Sequence, residues 1–263
     1  MFNKYPRIAT ACTPSTTDCR MIIILEGNIA AGKTTFLDLL VHNLPECSQC
    51  WMNVIPEPVT DWQNFDGVNI LDMYYSDRKR WAMAFQLNAY NTLKNYETST
   101  HHLTRDERQI VIMDRSTFSI KHVFNNIASE YMTAFETKVL KDVLEKIPSM
   151  FSSREKDDVV TVYLRTPVEE CHRRLKRRGR KEEMGVDVEY LTKIHELYEQ
   201  HIYDKAYGRL LVVDSFDTHD FKKTPIEFVD SSGRKRQRNL VNLIYDIYTS
   251  GTTHVMDVRT NDD

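Results

Sequence analysis

Eight consecutive residues, Gly27-Asn28-Ile29-Ala30-Ala31-Gly32-Lys33-Thr34, match the pattern G-x-x-x-x-G-K-[ST] at every fixed position. Glycine lets the backbone turn where a side chain would block it, so successive N–H groups can converge on a phosphate. Lys33 is then placed to reach the β/γ-phosphates and the Thr34 hydroxyl to ligate Mg²⁺, with Asn28, Ala30, Ala31 and Thr35 completing the cradle. This stretch reads as a nucleoside triphosphate site. Three further stretches carry chemistry. In Pro56-Glu57-Pro58 a carboxylate sits between two rings that restrict the backbone, which suits a catalytic base and equally a rigid turn with an exposed acid. In Asp114-Arg115-Ser116 the acid suits a second Mg²⁺ contact, or else a helix cap. In residues 173–181 seven of nine side chains are basic, which argues against a solvated helix face, since such a face normally mixes signs more evenly. That run fits a lid over triphosphate, with Gly179 as a break between Arg178 and Arg180, or a nucleic-acid surface without stacking aromatics.

These residues need a scaffold that presents them together. Five nearly continuous apolar runs, 21–25, 51–55, 109–113, 159–164 and 210–213, read as strands buried on both faces. Helical periodicity lies between them at 33–42, 80–96, 129–147, 167–177 and 189–205, with a last helix expected over 239–249. Alternation of this kind predicts an α/β fold, a five-stranded parallel sheet flanked by helices in three layers. Ligands bind such sheets beyond the carboxyl ends of the strands, and the glycine loop, Glu57 and Asp114 each follow a strand. The hydroxyl-rich segment 214–238, including the basic run 234–238, reads as a long loop.

At 263 residues the chain suits one domain, here 21–263, with a lid at about 174–183. Residues 1–20 read as a flexible extension: basic and hydroxyl-rich, as a mitochondrial presequence would be, but interrupted by Pro6 and Pro14. A cytoplasmic location is expected, with a mitochondrial one as the alternative. The formal net charge of −3 argues against wholesale nucleic-acid binding, and no apolar run reaches membrane-spanning length. Five scattered cysteines give no disulfide framework, and Cys47-x-x-Cys50 lacks the second pair that a zinc site wants.

Taken in order, Glu26-Gly27-Asn28-Ile29, Pro56-Glu57-Pro58-Val59-x-x-Trp62, Trp81-Ala82-Met83-x-Phe85-Gln86, Asp114-Arg115-Ser116, Tyr163-Leu164-Arg165-Thr166, Arg178-Gly179-Arg180-x-Glu182-Glu183 and Tyr190-Leu191-x-x-Ile194-His195 resemble the deoxyribonucleoside kinases over residues ~20 to ~222. The resemblance implies transfer of the ATP γ-phosphoryl group to the 5′-hydroxyl of a deoxynucleoside, with Mg²⁺. It implies Glu57 as the base on that hydroxyl and Arg115 as the residue that orients it. Thr34 and Asp114 become the Mg²⁺-associated pair, and Lys33, Arg174, Arg178 and Arg180 the phosphate-binding cations. Tyr75 and Glu183 correspond to the pair that holds the sugar 3′-hydroxyl. Trp62, Phe85 and Phe124 correspond to the aromatic walls around the base, beside Ile29, with Gln86 the amide that reads it. Asp220 and Phe221 resemble the adenine-sensing loop.

Members specific for deoxycytidine or deoxyguanosine carry an Arg and an Asp in the pocket. Here the matching positions are Leu93 and Ile120, so the resemblance leans towards pyrimidines, thymidine first. It also implies a homodimer through helices near 80–96 and 129–147, with no nucleic acid or membrane partner. The rival readings are another enzyme with the same phosphate loop, against which no Asn-Lys-x-Asp guanine motif is present, and a nucleic-acid-binding protein using residues 173–181.

Overall fold

The computed structural model describes residues 8–10, 20–43, 50–99, 108–147, 149, 151, 159–213, 225–229 and 235–239. The expected adenine-sensing residues Asp220 and Phe221, Cys47 and nearly all of the expected helix 239–249 lie outside the described residues.

Five parallel strands make the centre of the molecule: β2 (Arg20–Gly27), β3 (Cys50–Ile55), β4 (Arg108–Asp114), β5 (Val159–Leu164) and β6 (Arg209–Val213). Their order is β3-β4-β2-β5-β6, so β2 is central and its neighbours lead away in opposite directions. Register brings Leu25 opposite Asp114 and Gly27 opposite Leu164, which sets three strand ends side by side. The strands read as unbroken apolar runs because both faces are covered. Ile23 and Leu25 enter one core with Phe36, Leu40, Ile194 and Tyr198, while Ile22 and Ile24 enter another with Val111, Met113 and Phe151.

The helices around this sheet are α1 (Lys33–Asn43), α2 (Val59–Gln63), α3 (Ile70–Ser76), α4 (Arg78–Ser99), α5 (Thr117–Ser119), α6 (Asn125–Ala128), α7 (Ala134–Lys146), α8 (Val168–Arg178) and α9 (Val188–Lys205). Between α5 and α6 a π-helical turn spans Ile120–Phe124, and a 3-10 turn spans Ser129–Tyr131. The expected helix over 129–147 therefore starts later, at Ala134, where Thr133 and Glu136 form a reciprocal capping box. A third apolar cluster lies away from the sheet, built on Trp62, Leu71, Tyr74, Phe85, Tyr90 and Ile120. Among the described residues no helix is long and apolar enough to cross a membrane.

Two segments depart from the sequence reading. Ile8–Thr10, within the stretch read as a flexible extension, forms β1 and pairs antiparallel with β3, where an open edge offers unpaired backbone groups. The stretch 214–238, read as one long loop, contains β7 (Pro225–Val229) and β8 (Lys235–Asn239), paired antiparallel as a separate hairpin. Most of the basic run 234–238 therefore lies in a strand.

Candidate active site

The carboxyl ends of β2, β3 and β4 open onto a cavity of about 490 Å³. From the phosphate loop it is lined by Ile29, Ala30, Gly32, Lys33, Thr34 and Thr35; from the other strand ends by Glu57 and Arg115. Trp62, Tyr75, Phe85, Gln86, Ile120 and Phe124 wall it on the side of the helical cluster. Arg174, Arg178, Arg180 and Glu183 complete it. Of the residues singled out from sequence, Gly27, Asn28, Ala31 and Asp114 do not line the cavity. They shape what does.

The loop is held in a strained backbone. Gly27 has φ +147°, and a Cβ there would meet the Leu164 carbonyl oxygen of β5 at 2.8 Å, so only glycine lets β2 and β5 stay this close. Ala30 adopts φ +58° without being glycine. Asn28 ties the loop to α9, its Nδ2 donating to the Leu191 carbonyl at 2.8 Å. The Lys33 ammonium is folded back on the loop, donating to the carbonyls of Asn28 at 3.0 Å and Gly27 at 3.3 Å. Burial pushes it below the ordinary lysine value, with Arg115 acting in the same direction.

Arg115 is the hub. It has φ +72°, a left-handed backbone that costs a non-glycine residue, and it is almost fully buried. Four anchors hold it there. Its N–H donates to the Leu25 carbonyl at 2.9 Å, and Nε to Glu57 Oε1 at 2.6 Å. Nη1 donates to the Gly27 carbonyl at 3.0 Å and the Tyr198 hydroxyl at 2.7 Å. Its guanidinium also lies 4.8 Å from the Phe124 ring centre. Burial opposes the charge on Glu57, but Arg115 and then Lys33 outweigh it, so the carboxyl is held below its ordinary value. Glu57 Oε2 has no hydrogen-bond partner among the described residues and belongs to a side chain that lines the cavity.

Beneath Arg115 sits Glu26, fully buried. It accepts from the Ser116 N–H at 3.0 Å, the Ser116 hydroxyl at 2.7 Å and the Tyr198 hydroxyl at 3.0 Å. Burial pushes its carboxyl up to about 7, with Arg115 the largest opposing influence. Ser116, not Asp114, caps α5, accepting from the Phe118 N–H at 3.3 Å. That leaves Asp114 for other work. Its Oδ2 accepts the Thr34 hydroxyl at 3.2 Å, while Oδ1 is buried with no partner. An orphan carboxylate oxygen beside a hydroxyl is a hard, all-oxygen donor set of the kind Mg²⁺ accepts alongside phosphate oxygens.

Within the expected lid segment, helix α8 runs unbroken through Arg174 to Arg178, and Gly179, at φ +63°, is its left-handed cap, where a helix break was expected. Arg174 is nearly buried: Nη1 donates to the Ala31 carbonyl at 2.8 Å and Nε to Glu170 at 2.5 Å. Nη2, buried and unpartnered, remains available to a ligand. Arg178 and Arg180 both engage Glu183, the second at 2.8 Å. Glu182 ties the turn to α2 and to the start of α3, accepting from Gln63 at 2.9 Å and Asn69 at 2.8 Å. No hydrogen bond joins Tyr75 to Glu183.

The helical side of the cavity also differs in detail from the sequence expectation. Ile120 lines the cavity, from a π-helical turn whose other end, Phe124, lines it too. Leu93 does not; it is buried in the helical cluster, and Ala89, one turn earlier on α4, takes the wall position. Tyr74, Tyr190, Val59, Leu71 and Arg177 are wall residues that sequence reading missed. The signal for Arg177, and for Ala89, was the 3–4 spacing that sets Gln86 and Ala89 of α4, and Arg174 and Arg177 of α8, on one helix face.

Comparison with known proteins agrees with this geometry. The family model described as deoxynucleoside kinase matches residues 23–247. The chain is 31% identical over 255 residues to deoxycytidine kinase 2 of Gallus gallus, covering 87% of this chain and 90% of that protein. It is 34% identical over 197 residues to deoxycytidine kinase of Mus musculus, covering 67% and 73%. It is 32% identical over 183 residues to the mitochondrial thymidine kinase 2 of Homo sapiens, covering 69% and 64%. A phosphate loop facing a carboxylate–arginine pair across a cavity walled by aromatic rings is thus matched over most of the chain, and the protein belongs to the deoxynucleoside kinase family, phosphotransferases with an alcohol acceptor.

Proposed function

We propose that this enzyme phosphorylates the 5′-hydroxyl of pyrimidine deoxynucleosides, thymidine first, with ATP as donor and Mg²⁺ as its companion ion. The observation that carries the base preference is how charge is distributed along the cavity. Every ionisable carboxylate and cation in its wall belongs to the strand ends, the phosphate loop or the α8–lid segment: Lys33, Glu57, Arg115, Arg174, Arg177, Arg178, Arg180 and Glu183. The helical side offers rings, aliphatic groups and one amide, Gln86, whose Oε1 is buried without a partner. No carboxylate lines the cavity beside Ile120 and Ala89, so no charged acceptor there favours an exocyclic amine. The rotatable Gln86 amide suits the thymine N3–H and carbonyl one way round and the cytosine N3 and amino group the other, which supports pyrimidines over purines.

In this reading Glu57 accepts the proton of the 5′-hydroxyl through its free Oε2, and Arg115 fixes the carboxylate for that contact. Phosphoryl transfer asks mostly for alignment and charge neutralisation. Lys33, with Arg178 and Arg180 released from Glu183, supplies positive charge to the phosphates, and Arg174 Nη2 adds a donor. Release of those two arginines frees Glu183, which with Tyr75 receives the sugar 3′-hydroxyl. Thr34 and Asp114 would hold Mg²⁺, which would supply neutralisation of phosphate charge. The inward engagement of Arg174, Arg178 and Arg180 supports a lid over a nucleic-acid surface. Exposed Leu87 on α4 and Phe135 on α7 support the expected homodimer through these helices.

The test is a phosphorylation assay of the full chain with ATP against the four natural deoxynucleosides and uridine. Thymidine should give the highest kcat/KM. A preference for deoxycytidine or a purine would overturn the base assignment, and nucleotide hydrolysis indifferent to every nucleoside would overturn the whole reading.

A further inference from the structure

Arg78 opens the 22-residue helix α4, with no acid in the first turn. A cation at a helix N-terminus works against the helix dipole, so local helix stability does not explain it. Nor does an ion pair. Among the described residues no carboxylate lies within salt-bridge distance of its guanidinium, and Nε is buried without a partner. Three tyrosine rings surround it instead, with centres 4.4 Å (Tyr190), 5.4 Å (Tyr131) and 5.5 Å (Tyr75) from the guanidinium carbon. Nη1 donates to the Tyr131 hydroxyl at 3.0 Å. All three distances fall within the reach of a cation–π contact.

Two of these rings, Tyr75 and Tyr190, line the active-site cavity; Arg78 itself does not. They meet edge to face at 6.4 Å, and Tyr74 packs on Tyr75 at 5.2 Å. Tyr75 lines the cavity together with Glu183 and Glu57, the residues that face the sugar in the reading above. We propose that Arg78 is a positioning residue that clamps the Tyr75 and Tyr190 rings, aims the Tyr75 hydroxyl at the acceptor's 3′-hydroxyl and thereby sets the preference for sugars that carry one. This rests on the reading of Tyr75 and Glu183 given above.

The test uses steady-state kinetics of the full chain with the best of the four natural deoxynucleosides and its 2′,3′-dideoxy counterpart. Arg78→Met should raise KM for the deoxynucleoside about fivefold, the effect one partly buried cation–π clamp supports. KM for the dideoxy compound, KM for ATP and kcat should stay within about twofold, because the loss is confined to one ground-state contact. Arg78→Lys should fall between, keeping the charge but not the planar stack. An equal rise for both nucleosides, or no rise, overturns the proposal. If the unaltered enzyme does not discriminate between the two nucleosides, the Tyr75–Glu183 reading fails first. If it does discriminate and Arg78→Met changes nothing, the Arg78 role alone fails. Should Arg78→Met not fold, Tyr131→Phe, which removes the Nη1 acceptor, is read by the same comparison.

Discussion

Glu57→Gln separates a catalytic carboxylate from a structural one. The substitution keeps size and one hydrogen-bond acceptor but removes the charge opposite Arg115. If Glu57 takes the proton, kcat should fall by about 10²–10⁴, or about 2.7–5.4 kcal/mol of barrier. The structural cost is smaller. Removing one partner of a buried pair costs about 3–5 kcal/mol when the other charge is stranded. Here Arg115 keeps the Gly27 carbonyl and the Tyr198 hydroxyl, and the Glu57 side chain is 24% exposed. About 1–2 kcal/mol is therefore expected, lowering Tm by about 3–6 °C in a chain of this size. Initial rates at saturating nucleoside and ATP, with thermal unfolding of both proteins, give the two quantities separately. A loss in kcat below about tenfold refutes the assignment. So does a Tm collapse large enough to account for the lost rate by itself.

Three further outcomes are expected. Gln86→Leu should raise nucleoside KM by about 10–100-fold while leaving ATP KM nearly unchanged, since a site left without its hydrogen-bonding group loses discrimination on that scale; a larger effect on ATP would misplace Gln86. Gly208→Ala should cost about 3–5 kcal/mol by chemical denaturation, because φ is +65° and the new Cβ would stand 2.1 Å from the Val159 carbonyl oxygen; a loss under about 1 kcal/mol would mean that β6 can move away from β5. Glu170 is held down to about 2 by Arg173 first and Arg174 second. A depressed carboxylate stabilises above its unfolded value and loses that stabilisation as pH falls from about 4.5 towards 2, here by about 1 kcal/mol given its partial exposure. Tm measured from pH 6 to pH 3 should therefore fall less steeply in Glu170→Gln than in the unaltered chain; identical slopes would remove the effect.

The parallel sheet was legible because its strands are buried on both faces, which writes an apolar run into the sequence at each one. The polar strand Lys235–Asn239 carries no such mark: Lys-Arg-Gln-Arg-Asn has neither alternation nor β-branched residues, and only its pairing partner makes it a strand. Ile8–Thr10 is too short to announce itself. Lys33 was readable from its motif, and Glu57 and Arg115 were assigned through the resemblance; all three line one cavity. Residues whose importance comes from where a helix face points were not readable in this way. Arg174 and Arg178 look alike in sequence, yet four residues of helix place one under the phosphate loop and the other on Glu183. Ala89 replaces Leu93 at the cavity wall for the same reason. Glu26 was visible in its motif, but its service to Ser116 and Tyr198 depends on contacts 90 and 172 residues away.

The left-handed backbone at Arg115 sets two demands on one residue against each other. Glycine would relax the chain there, and arginine is the side chain that reaches Glu57, Gly27 and Tyr198 together. Relief of that strain is worth about 1–3 kcal/mol, whereas removing the buried guanidinium would strand Glu57 and forfeit the hydrogen bonds to Glu57, Gly27 and Tyr198, a loss of about 3–5 kcal/mol, so the packing around it outweighs the strain. Stabilising this protein by relaxing its backbone therefore means looking elsewhere and leaving that strain in place.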